Sequence, residues 1–457
     1  MRTASAAVAL AALGAAIASC AYYNGLYNAN RLVKEAERAE REGLESEARS
    51  LWSQAAVKAE SVAARYPESK YRDDALLVWG RSLQSIGECE RGITPLALAL
   101  ESSPDSTIRR QSRLLLGRCY YETGEYQGAD SVLTRLAVSL DSAVAVPALL
   151  WRGQARLAAG LYDAAVSDLV GCGLPQAQFP LALAYTYDRQ PLAAQHVLLS
   201  AQVGSAQEHQ WLSVLNAVGG RYPDVAGTVV DHLVERADLS IDGTAMLLLQ
   251  DGERRLEGGR PDHAVVRFRQ LMDLAPGSRV AAIAQVELVQ AELRLADGVD
   301  QLPAMLERVR AVELEEEDSK RLRLLQLSTD LELAVAGLTA PWPTGGQTHF
   351  AGGGPDLDLF MAAEAMRYEW SAVTLAVALL REVPLRFPRS PIAPKALLAA
   401  AWLDPTRADS LLAVLHRDYP SSPYTLVLRG AAGDEYTALE DSLRTLLKAR
   451  QRPTSNR

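Results

Sequence analysis

An internal repeat constrains the fold of this chain more than any other feature of its sequence. Gly80, Gly117 and Gly153 lie 37 and 36 residues apart, and the same series of residue types follows each of them. Counted from these anchor glycines, the series has another glycine at offset 7, a small residue at offset 12 and a leucine at offset 16. Gly252 begins a fourth copy, with phenylalanine at offset 16. A fixed period of this length indicates a repeat architecture, which a 457-residue chain can extend without one large core.

Each recurring position has a role in a pair of antiparallel helices. A small anchor and a small residue at offset 12 allow the two helices to approach closely, and the glycine at offset 7 ends the first helix in a left-handed turn. Large apolar residues at offsets 16 and 19 then fill the seam between the helices. The composition agrees, because hydrophobic residues make up 48% of the chain and aromatic residues only 6%. The sequence therefore predicts an all-α protein built from helical hairpins.

The hairpin pattern resembles the tetratricopeptide repeat, and its best copy is GRCYYETGEYQGADSVLTRL, from Gly117 to Leu136. The resemblance implies an α-solenoid of tetratricopeptide-like hairpins. Weaker copies extend the pattern in both directions. One of them starts at Ala36, and another, between Pro180 and Leu199, is predicted to have a shortened turn.

An aromatic-Pro-x-Ser signature recurs where hairpins are expected to meet. It occurs as YPES at Tyr66, as FPRS at Phe387 and as YPSS at Tyr419. Because proline cannot continue a helix, each copy is predicted to end one. In the first copy the tyrosine is predicted to pack into the preceding hairpin, and Ser69 to cap a helix that begins near Lys70.

The first twenty residues indicate an exported protein with a lipid anchor. One early charge precedes a short apolar run, which is typical of a secretory signal, predicted over residues 1–19. The segment IASC, ending at Cys20, resembles a bacterial lipobox, which implies that Cys20 carries the lipid as the first mature residue. By resemblance to enterobacterial sorting, Ala21 in place of aspartate indicates the outer membrane, with the protein facing the periplasm. An ordinary cleaved signal and an uncleaved anchor are the alternatives.

Breaks in the helical pattern divide the mature chain. Residues 20–29 are predicted to form a tether, and residues 30–337 the tetratricopeptide-like array. Residues 338–356 hold three prolines and five glycines, so a linker is predicted there. A C-terminal helical module follows over residues 357–449, and residues 450–457 are predicted to be a disordered tail.

No feature of the sequence predicts catalysis, a cofactor or a metal site. The net charge is −9 without a basic cluster, which argues against nucleic-acid binding. The six histidines lack zinc-binding spacing, and the glycines at 352–354 lack the phosphate-loop pattern. The acidic run ELEEEDSKR, from Glu313 to Arg321, is predicted to be solvated at the start of a helix.

Cys89 and Cys119 occupy successive copies of the repeat, near the same end of each. A disulfide between them is geometrically conceivable. Buried free thiols are the prediction, because cysteine often serves as a small apolar residue in a core. With lipid on Cys20, the three remaining cysteines allow at most one internal disulfide.

The candidate site is a row of polar side chains on the first helices of the hairpins. In tetratricopeptide arrays these helices line a concave groove, and the residue after the small anchor points into it. The resemblance assigns Arg81, Arg118 and Gln154 to that position, with Gln84 and Tyr121 one turn further on. Such a row is predicted to hold a carboxylate or the backbone of an extended peptide. The alternative is a set of solvated polar residues.

The segment RYPESKYRDDALLVWGRSLQSIG, from Arg65 to Gly87, resembles the BamD-like outer-membrane lipoproteins, which combine a lipobox with such repeats. The expected function is a membrane-anchored scaffold that binds protein or peptide partners in the cell envelope. The resemblance implies a role in outer-membrane protein assembly. Two alternatives remain: a SusD-like glycan-binding lipoprotein, which would need stacked aromatic side chains, and a peptidoglycan-processing enzyme, which would need a catalytic glutamate.

Overall fold

The structure is a computed structural model that describes residues 25–201, 208–236, 239–316, 318–341, 353–431 and 433–451. Every regular element in these ranges is a helix, and no strand occurs in them. The predicted fold class, an all-α solenoid of tetratricopeptide-like hairpins, is confirmed. The predicted signal peptide, Cys20 and the last six residues of the predicted tail lie outside the described residues, as do residues 342–352 of the predicted linker.

The described chain forms two compact units, each built from consecutive antiparallel helices. Unit 1 comprises residues 25–201 and 213–225. Its first helix already includes residues 25–29, which the sequence assigned to a tether. The helices of unit 1 are α1 (25–41), α2 (Glu45–Arg65), α3 (Arg72–Ser85), α4 (Cys89–Ser102), α5 (Ser106–Glu122), α6 (Tyr126–Ala137), α7 (Ser142–Ala158), α8 (Tyr162–Cys172), α9 (Gln178–Tyr187) and α10 (Pro191–Ser200).

Unit 2 comprises residues 208–212 and 226–451, so that α11 (Glu208–Arg221) and the helix after it both contribute residues to the two units. The remaining helices follow one another along the chain. They are α12 (Pro223–Arg236), α13 (Ile241–Glu257), α14 (Pro261–Leu274), α15 (Arg279–Leu295), α16 (Leu302–Arg310), α17 (Arg321–Thr339), α18 (Pro355–Tyr368), α19 (Val373–Arg386), α20 (Ala393–Leu403), α21 (Ala408–Asp418), α22 (Pro423–Leu428) and α23 (Asp434–Gln451).

The seam of a hairpin is formed by the anchor glycine of the first helix and the large residue sixteen positions later on the second. A β-carbon added to Gly117 would lie 2.4 Å from Cγ of Leu133, far inside normal contact distance. Leu133 is fully buried there, so only a glycine leaves room for it. The other anchors make the same contact: Gly80 with Leu96, Gly153 with Leu169 and Gly252 with Phe268.

The turn between the two helices of a hairpin contains one left-handed residue. Gly124 has a φ of 84°, and the turn is closed by hydrogen bonds to the carbonyls of Tyr120 and Tyr121. In the weak copy that begins at Pro180, Arg189 holds this position with a φ of 63° and the equivalent hydrogen bonds. The predicted shortened turn is therefore wrong. The turn has its full length, and a non-glycine residue adopts the left-handed backbone.

The aromatic-Pro-x-Ser signature forms the same turn at all three sites. Tyr66, Phe387 and Tyr419 each follow the last residue of a helix, with φ between −131° and −126° and a backbone N–H that still donates to a helical carbonyl. The serine N–H then donates to the carbonyl of the aromatic residue. The predicted helix endings are confirmed. The predicted cap in the first copy is wrong, because Ser69 accepts from the N–H of Tyr71, the residue before α3.

In unit 2 a continuous buried core extends from Val286 to Leu443 and includes the rings of Phe360 and Trp370. Helices α17 and α18 pack against each other in this core, although the predicted linker separates them in sequence. In unit 1 the buried side chains form several smaller clusters on neighbouring helices. This is the organisation expected of repeats that contact mainly their neighbours.

Cys89 and Cys119 form a disulfide in unit 1, so the predicted free thiols are wrong at these two positions. The bond joins α4 to α5, the second helix of one hairpin to the first helix of the next, and the Cα atoms lie 4.9 Å apart. The two cysteines lie at different offsets from the anchor glycines of their copies. The pattern of a single copy therefore does not show that these two residues are in contact. Cys172 is buried and free, and burial raises the pKa of its thiol.

Reduction of this disulfide is expected to lower the free energy of unfolding of unit 1 by about 2–4 kcal/mol, because the cross-link restricts the unfolded chain. Urea denaturation followed by circular dichroism, with and without reductant, measures the change. Cys172→Ser is the control and should respond to reductant as the wild type does. Non-reducing mass spectrometry should find Cys89 and Cys119 in one cross-linked peptide, and two free thiols there would contradict the assignment.

Candidate functional site

The first helices of successive hairpins in unit 1 lie side by side. Helix α3 packs against α5, α5 against α7 and α7 against α9, so equivalent positions of these helices share one face. We call this surface the first-helix face. Arg81 and Gln84 lie on α3, Arg118 and Tyr121 on α5, and Gln154 on α7. The structure thus places all five predicted residues on adjacent helices.

Arg81 connects α3 to α1. Its guanidinium forms an ion pair with Glu37 and lies 5.4 Å from the ring centroid of Trp52. Trp52 is buried, and its indole N–H donates to Glu40 at 2.7 Å. Because 43% of the Arg81 side chain remains exposed, its guanidinium keeps N–H donors available to a ligand.

Arg118 makes a larger set of contacts. Its Nε donates to Oε1 of Glu122 at 2.7 Å, and the guanidinium lies 4.7 Å from the ring centroid of Trp151 on α7. From α3, the side-chain oxygen of Gln84 accepts from Nε and Nη2 of Arg118 at 2.9 Å, in the amide orientation that satisfies this network. Gln84 is buried, so its side chain holds the Arg118 guanidinium in place and is not exposed to a ligand.

Tyr121 and Trp151 form the apolar part of the first-helix face. Their ring centroids lie 5.7 Å apart, and the ring of Tyr126 lies 6.1 Å from that of Tyr121. Burial raises the pKa of the Tyr121 phenol, which therefore stays protonated at neutral pH. Gln154 is half-buried on α7, three residues after Trp151. An aromatic cluster thus lies directly beside the Arg118 guanidinium.

Sequence reasoning missed the acidic partners and the tryptophan of this face. Glu37 pairs with Arg81 and Glu122 with Arg118, while Trp151 supports the second arginine. No signal points to Glu37, because it lies 44 residues from Arg81 in another hairpin. Glu122 could have been found, since a glutamate four residues after an arginine on one helix is within ion-pair distance.

A buried charge network joins α6, α7 and α8. Arg152, directly before the anchor Gly153, donates to both carboxylate oxygens of Asp168, at 2.6 and 2.8 Å. Arg156 donates to Asp168 at 2.9 Å and to Asp130 of α6 at 2.7 Å. Arg152 and Asp168 are both buried, so each of these charges depends on its opposite partner.

The hairpin of α13 and α14 in unit 2 carries the same network with the charges of the central pair exchanged. Asp251 stands directly before the anchor glycine, and Arg267 takes the place that Asp168 has in unit 1. Arg267 donates to Asp251 at 2.7 Å, and Arg255 donates to the same carboxylate at 2.8 Å. Arg267 also donates to Asp231 of the preceding second helix at 2.5 Å. The two hairpins therefore bury equivalent ion pairs of opposite polarity.

In unit 2 the residue equivalent to Arg81 and Arg118 is Glu253, and its carboxylate is already bound by a lysine of the same chain. Glu253 follows the anchor of α13 and accepts from Nζ of Lys320 at 2.7 Å, and Glu287 of α15 accepts from the same group at 2.9 Å. Burial lowers the pKa of Lys320, but the hydrogen bonds to the two carboxylates raise it overall. Lys320 therefore stays charged, and it bridges two neighbouring first helices.

Lys320 belongs to the acidic run that the sequence predicted to be solvated, and this prediction is wrong for the end of the run. Asp318 is buried and accepts from Nε of Arg279 at 2.8 Å. Residues 312–316 have no helical structure, and α17 begins only at Arg321. The local charge pattern could not reveal these partners, because they lie on earlier helices.

Two features are absent from the part of the chain that the structure describes. No group of histidine, cysteine and carboxylate side chains in it has the arrangement of a metal site. None of its helices combines the length and the apolar character needed to cross a bilayer. What the first-helix face offers is guanidinium donors, a phenol and aromatic surface, which suit binding.

The tetratricopeptide repeat family matches the chain at residues 111–139, which include most of α5 and all of α6. This is the copy whose sequence pattern is strongest, and it carries Arg118 and Tyr121. Tetratricopeptide hairpins typically form non-enzymatic scaffolds for protein–protein interaction. No curated protein matches the chain at a significant level.

Several solved structures resemble the chain at low sequence identity. A tetratricopeptide repeat protein from Parabacteroides merdae is 13% identical, with 58% of this chain and 99% of that chain covered and a TM-score of 0.35. Naa15/Naa10 bound to HypK-THB is 16% identical, with 93% and 64% covered and a TM-score of 0.30. The TPR domain of P58(IPK) is 16% identical, with 83% and 99% covered and a TM-score of 0.24.

The two networks of opposite polarity generate a prediction. Asp168→Ala is expected to lower the free energy of unfolding by about 3–5 kcal/mol, because it leaves Arg152 buried without its main partner. Exchanging the pair, Arg152→Asp with Asp168→Arg, is expected to recover most of that loss, because Arg156 and Asp130 then have the partners that their counterparts have in unit 2. Urea denaturation followed by circular dichroism measures both changes.

Arg91→Ala is the matched control for this pair of variants. Arg91 forms an exposed ion pair with Glu88, so its loss should cost less than about 1 kcal/mol. If Asp168→Ala costs no more than this control, or if the exchanged pair is no more stable than the single variant, the equivalence of the two networks is refuted.

Proposed function

We propose that this protein is a non-catalytic scaffold of the bacterial cell envelope that binds an extended segment of a protein partner on the first-helix face of unit 1. The Arg118 site carries this proposal. Its guanidinium is held by Glu122, Gln84 and Trp151, yet 38% of the side chain is exposed. A fixed, accessible guanidinium beside an aromatic cluster suits a peptide that presents a carboxylate or carbonyl next to an apolar side chain.

The proposal includes a lipid anchor at Cys20 that holds the chain to the outer membrane, facing the periplasm. The lipobox-like residues before Cys20 support this placement. The disulfide between Cys89 and Cys119 also supports it, because structural disulfides persist in oxidising compartments such as the periplasm. We also propose a role in outer-membrane protein assembly, which rests on the resemblance to BamD-like lipoproteins.

Glycan capture has less support on the first-helix face. A sugar needs an open aromatic ring face for stacking. Here the guanidinium of Arg118 lies over the ring of Trp151, Tyr121 packs beside it, and Trp52 is buried under Arg81. The surface is therefore better suited to the charged and carbonyl groups of a peptide.

A photo-crosslinking experiment in the native membrane tests the proposal. A photoreactive amino acid at Gln154 of the lipidated chain should capture one defined protein partner, identified by mass spectrometry. Arg118→Glu is expected to lower the yield of that product about tenfold or more, because a reversed charge repels the carboxylate of the partner. In the same preparation, the N-terminal peptide should carry a diacylated Cys20.

Arg91→Glu on α4 is the matched control, because Arg91 is an exposed arginine of a second helix and should not change the yield. A crosslink that survives Arg118→Glu but is lost with Arg91→Glu would contradict the assigned face. Retention of glycan without a protein product would favour the carbohydrate-binding alternative, and an unmodified Cys20 would contradict the anchor.

A further inference from the structure

The C-terminal helix α23 lies on the first helices of the last hairpins in unit 2. Its Glu440 accepts two hydrogen bonds from Nζ of Lys395 on α20, at 2.7 and 2.9 Å, and one from the hydroxyl of Tyr424 on α22, at 2.8 Å. Both α20 and α22 follow an aromatic-Pro-x-Ser turn, as α3 does in unit 1. They are therefore the first helices of their repeats.

Among the side chains of α23 that the structure describes, those of a single helix face make this contact. Leu443 is buried, and Tyr436, Leu439 and Glu440 are half-buried, at the spacing of one helix face. The ring of Tyr436 packs edge-on against that of Tyr424, with centroids 5.6 Å apart. The other described side chains of α23 are exposed. Over its described side chains, α23 is thus an amphipathic segment held by three apolar side chains and one carboxylate.

The partial exposure of Lys395 allows α23 to leave. Glu364 of α18 interacts electrostatically with Lys395, Arg367 and Glu440, but burial raises the pKa of Glu364 and so favours its neutral form. The Lys395 side chain is 21% exposed while α23 covers it. Release of the helix therefore uncovers the ammonium group to water and does not leave a buried, unpaired cation.

Two exposed aromatic side chains lie on the same faces of α18 and α20 as Glu364 and Lys395. Trp402 lies seven residues after Lys395 on α20 and is 70% exposed, and Tyr368 lies four residues after Glu364 on α18 and is 64% exposed. These spacings place each aromatic residue on the same side of its helix as the charged residue before it. A partner longer than α23 would gain these two side chains, which are typical of protein interfaces.

We propose that α23 is the intramolecular occupant of a docking surface for an acidic amphipathic helix of a partner protein. The partner helix replaces α23 by presenting to Lys395 a carboxylate three residues before a leucine, as Glu440 and Leu443 do. It also covers Tyr368 and Trp402. This inference concerns unit 2 alone and does not depend on the first-helix face of unit 1.

The test uses the full-length chain and a fluorescent peptide with the sequence of residues 434–451. A released variant, Leu439→Asp with Leu443→Asp, weakens the attachment of the chain's own α23 and leaves Glu440 unchanged. The peptide is expected to bind this variant about tenfold or more tightly than the wild type, in which it competes with a tethered copy of itself. Fluorescence anisotropy measures both affinities.

Two matched changes in the released variant locate the binding surface. Lys395→Glu is expected to abolish peptide binding, and a peptide carrying Glu440→Lys is expected to restore it, because the charge pair is re-formed with opposite polarity. Trp402→Ala is expected to leave the affinity of the α23 peptide unchanged, because α23 does not cover that side chain.

Three outcomes would overturn the proposal. The first is equal affinity of the peptide for the wild type and for a released variant whose circular dichroism and unfolding midpoint match the wild type. The second is loss of binding with Lys395→Glu that the charge-reversed peptide does not rescue. The third is a released variant that is dimeric by light scattering and does not bind the peptide, which would assign the surface to a second copy of the chain.

If the released variant is unfolded by circular dichroism, hydrogen exchange of the wild-type chain decides the question. The amides of α23 are then expected to exchange about tenfold or more faster than those of α20, because a releasable helix opens without unfolding the unit. Equal protection of the two helices would overturn the proposal.

Discussion

The close approach of two helices at an anchor glycine is the contact on which the rest of this structure depends. A β-carbon at Gly117 would overlap Leu133, and the same holds for the other three anchors and their partners. The contact fixes the rotation of both helices, because the anchor must face the second helix. The side chain one residue after the anchor is then rotated by about 100° from the seam and reaches the exposed face. The side chain four residues after the anchor stays closer to the seam, as the buried Gln84 does. The first-helix face with Arg81 and Arg118 is a direct consequence.

The same geometry explains why charge can be buried next to the seam. In two copies the residue before the anchor and the residue at offset 15 meet across the hairpin as an ion pair. One copy has arginine first and the other has aspartate first. A shared backbone arrangement therefore accepts either polarity, provided that an arginine at offset 3 and an aspartate of the preceding second helix complete the network.

Features repeated within each copy were predictable from the sequence, and features that join different copies were not. The helical hairpins, the left-handed turn at Gly124 and the helix ending at Tyr66 follow from glycine, proline and apolar spacing inside one repeat. The disulfide between Cys89 and Cys119 and the contact between Lys320 and Glu253 join positions that no period relates. Such contacts depend on how successive hairpins stack, which the pattern of a single copy does not specify.

The site follows the same division. Arg81 and Arg118 were predictable because they hold one fixed offset, and Glu122 could have been found within its own copy, but Glu37, which pairs with Arg81 from another hairpin, could not. Unit 2 carries different occupants on its first helices: Lys320 lies between α13 and α15, and α23 lies on α20 and α22. Equivalent faces of one repeat architecture are thus used in different ways along a single chain.

A double-mutant cycle on Gly117 and Leu133 tests the central contact most directly. Gly117→Ala should cost about 1–3 kcal/mol of unfolding free energy with Leu133 in place, and little or nothing in the Leu133→Ala background, where the overlap is removed. Gly220→Ala, in a helix where a β-carbon would meet nothing within 4 Å, should be neutral or stabilising by up to about 1 kcal/mol. Additive effects of the two changes, with no coupling free energy, would contradict the account.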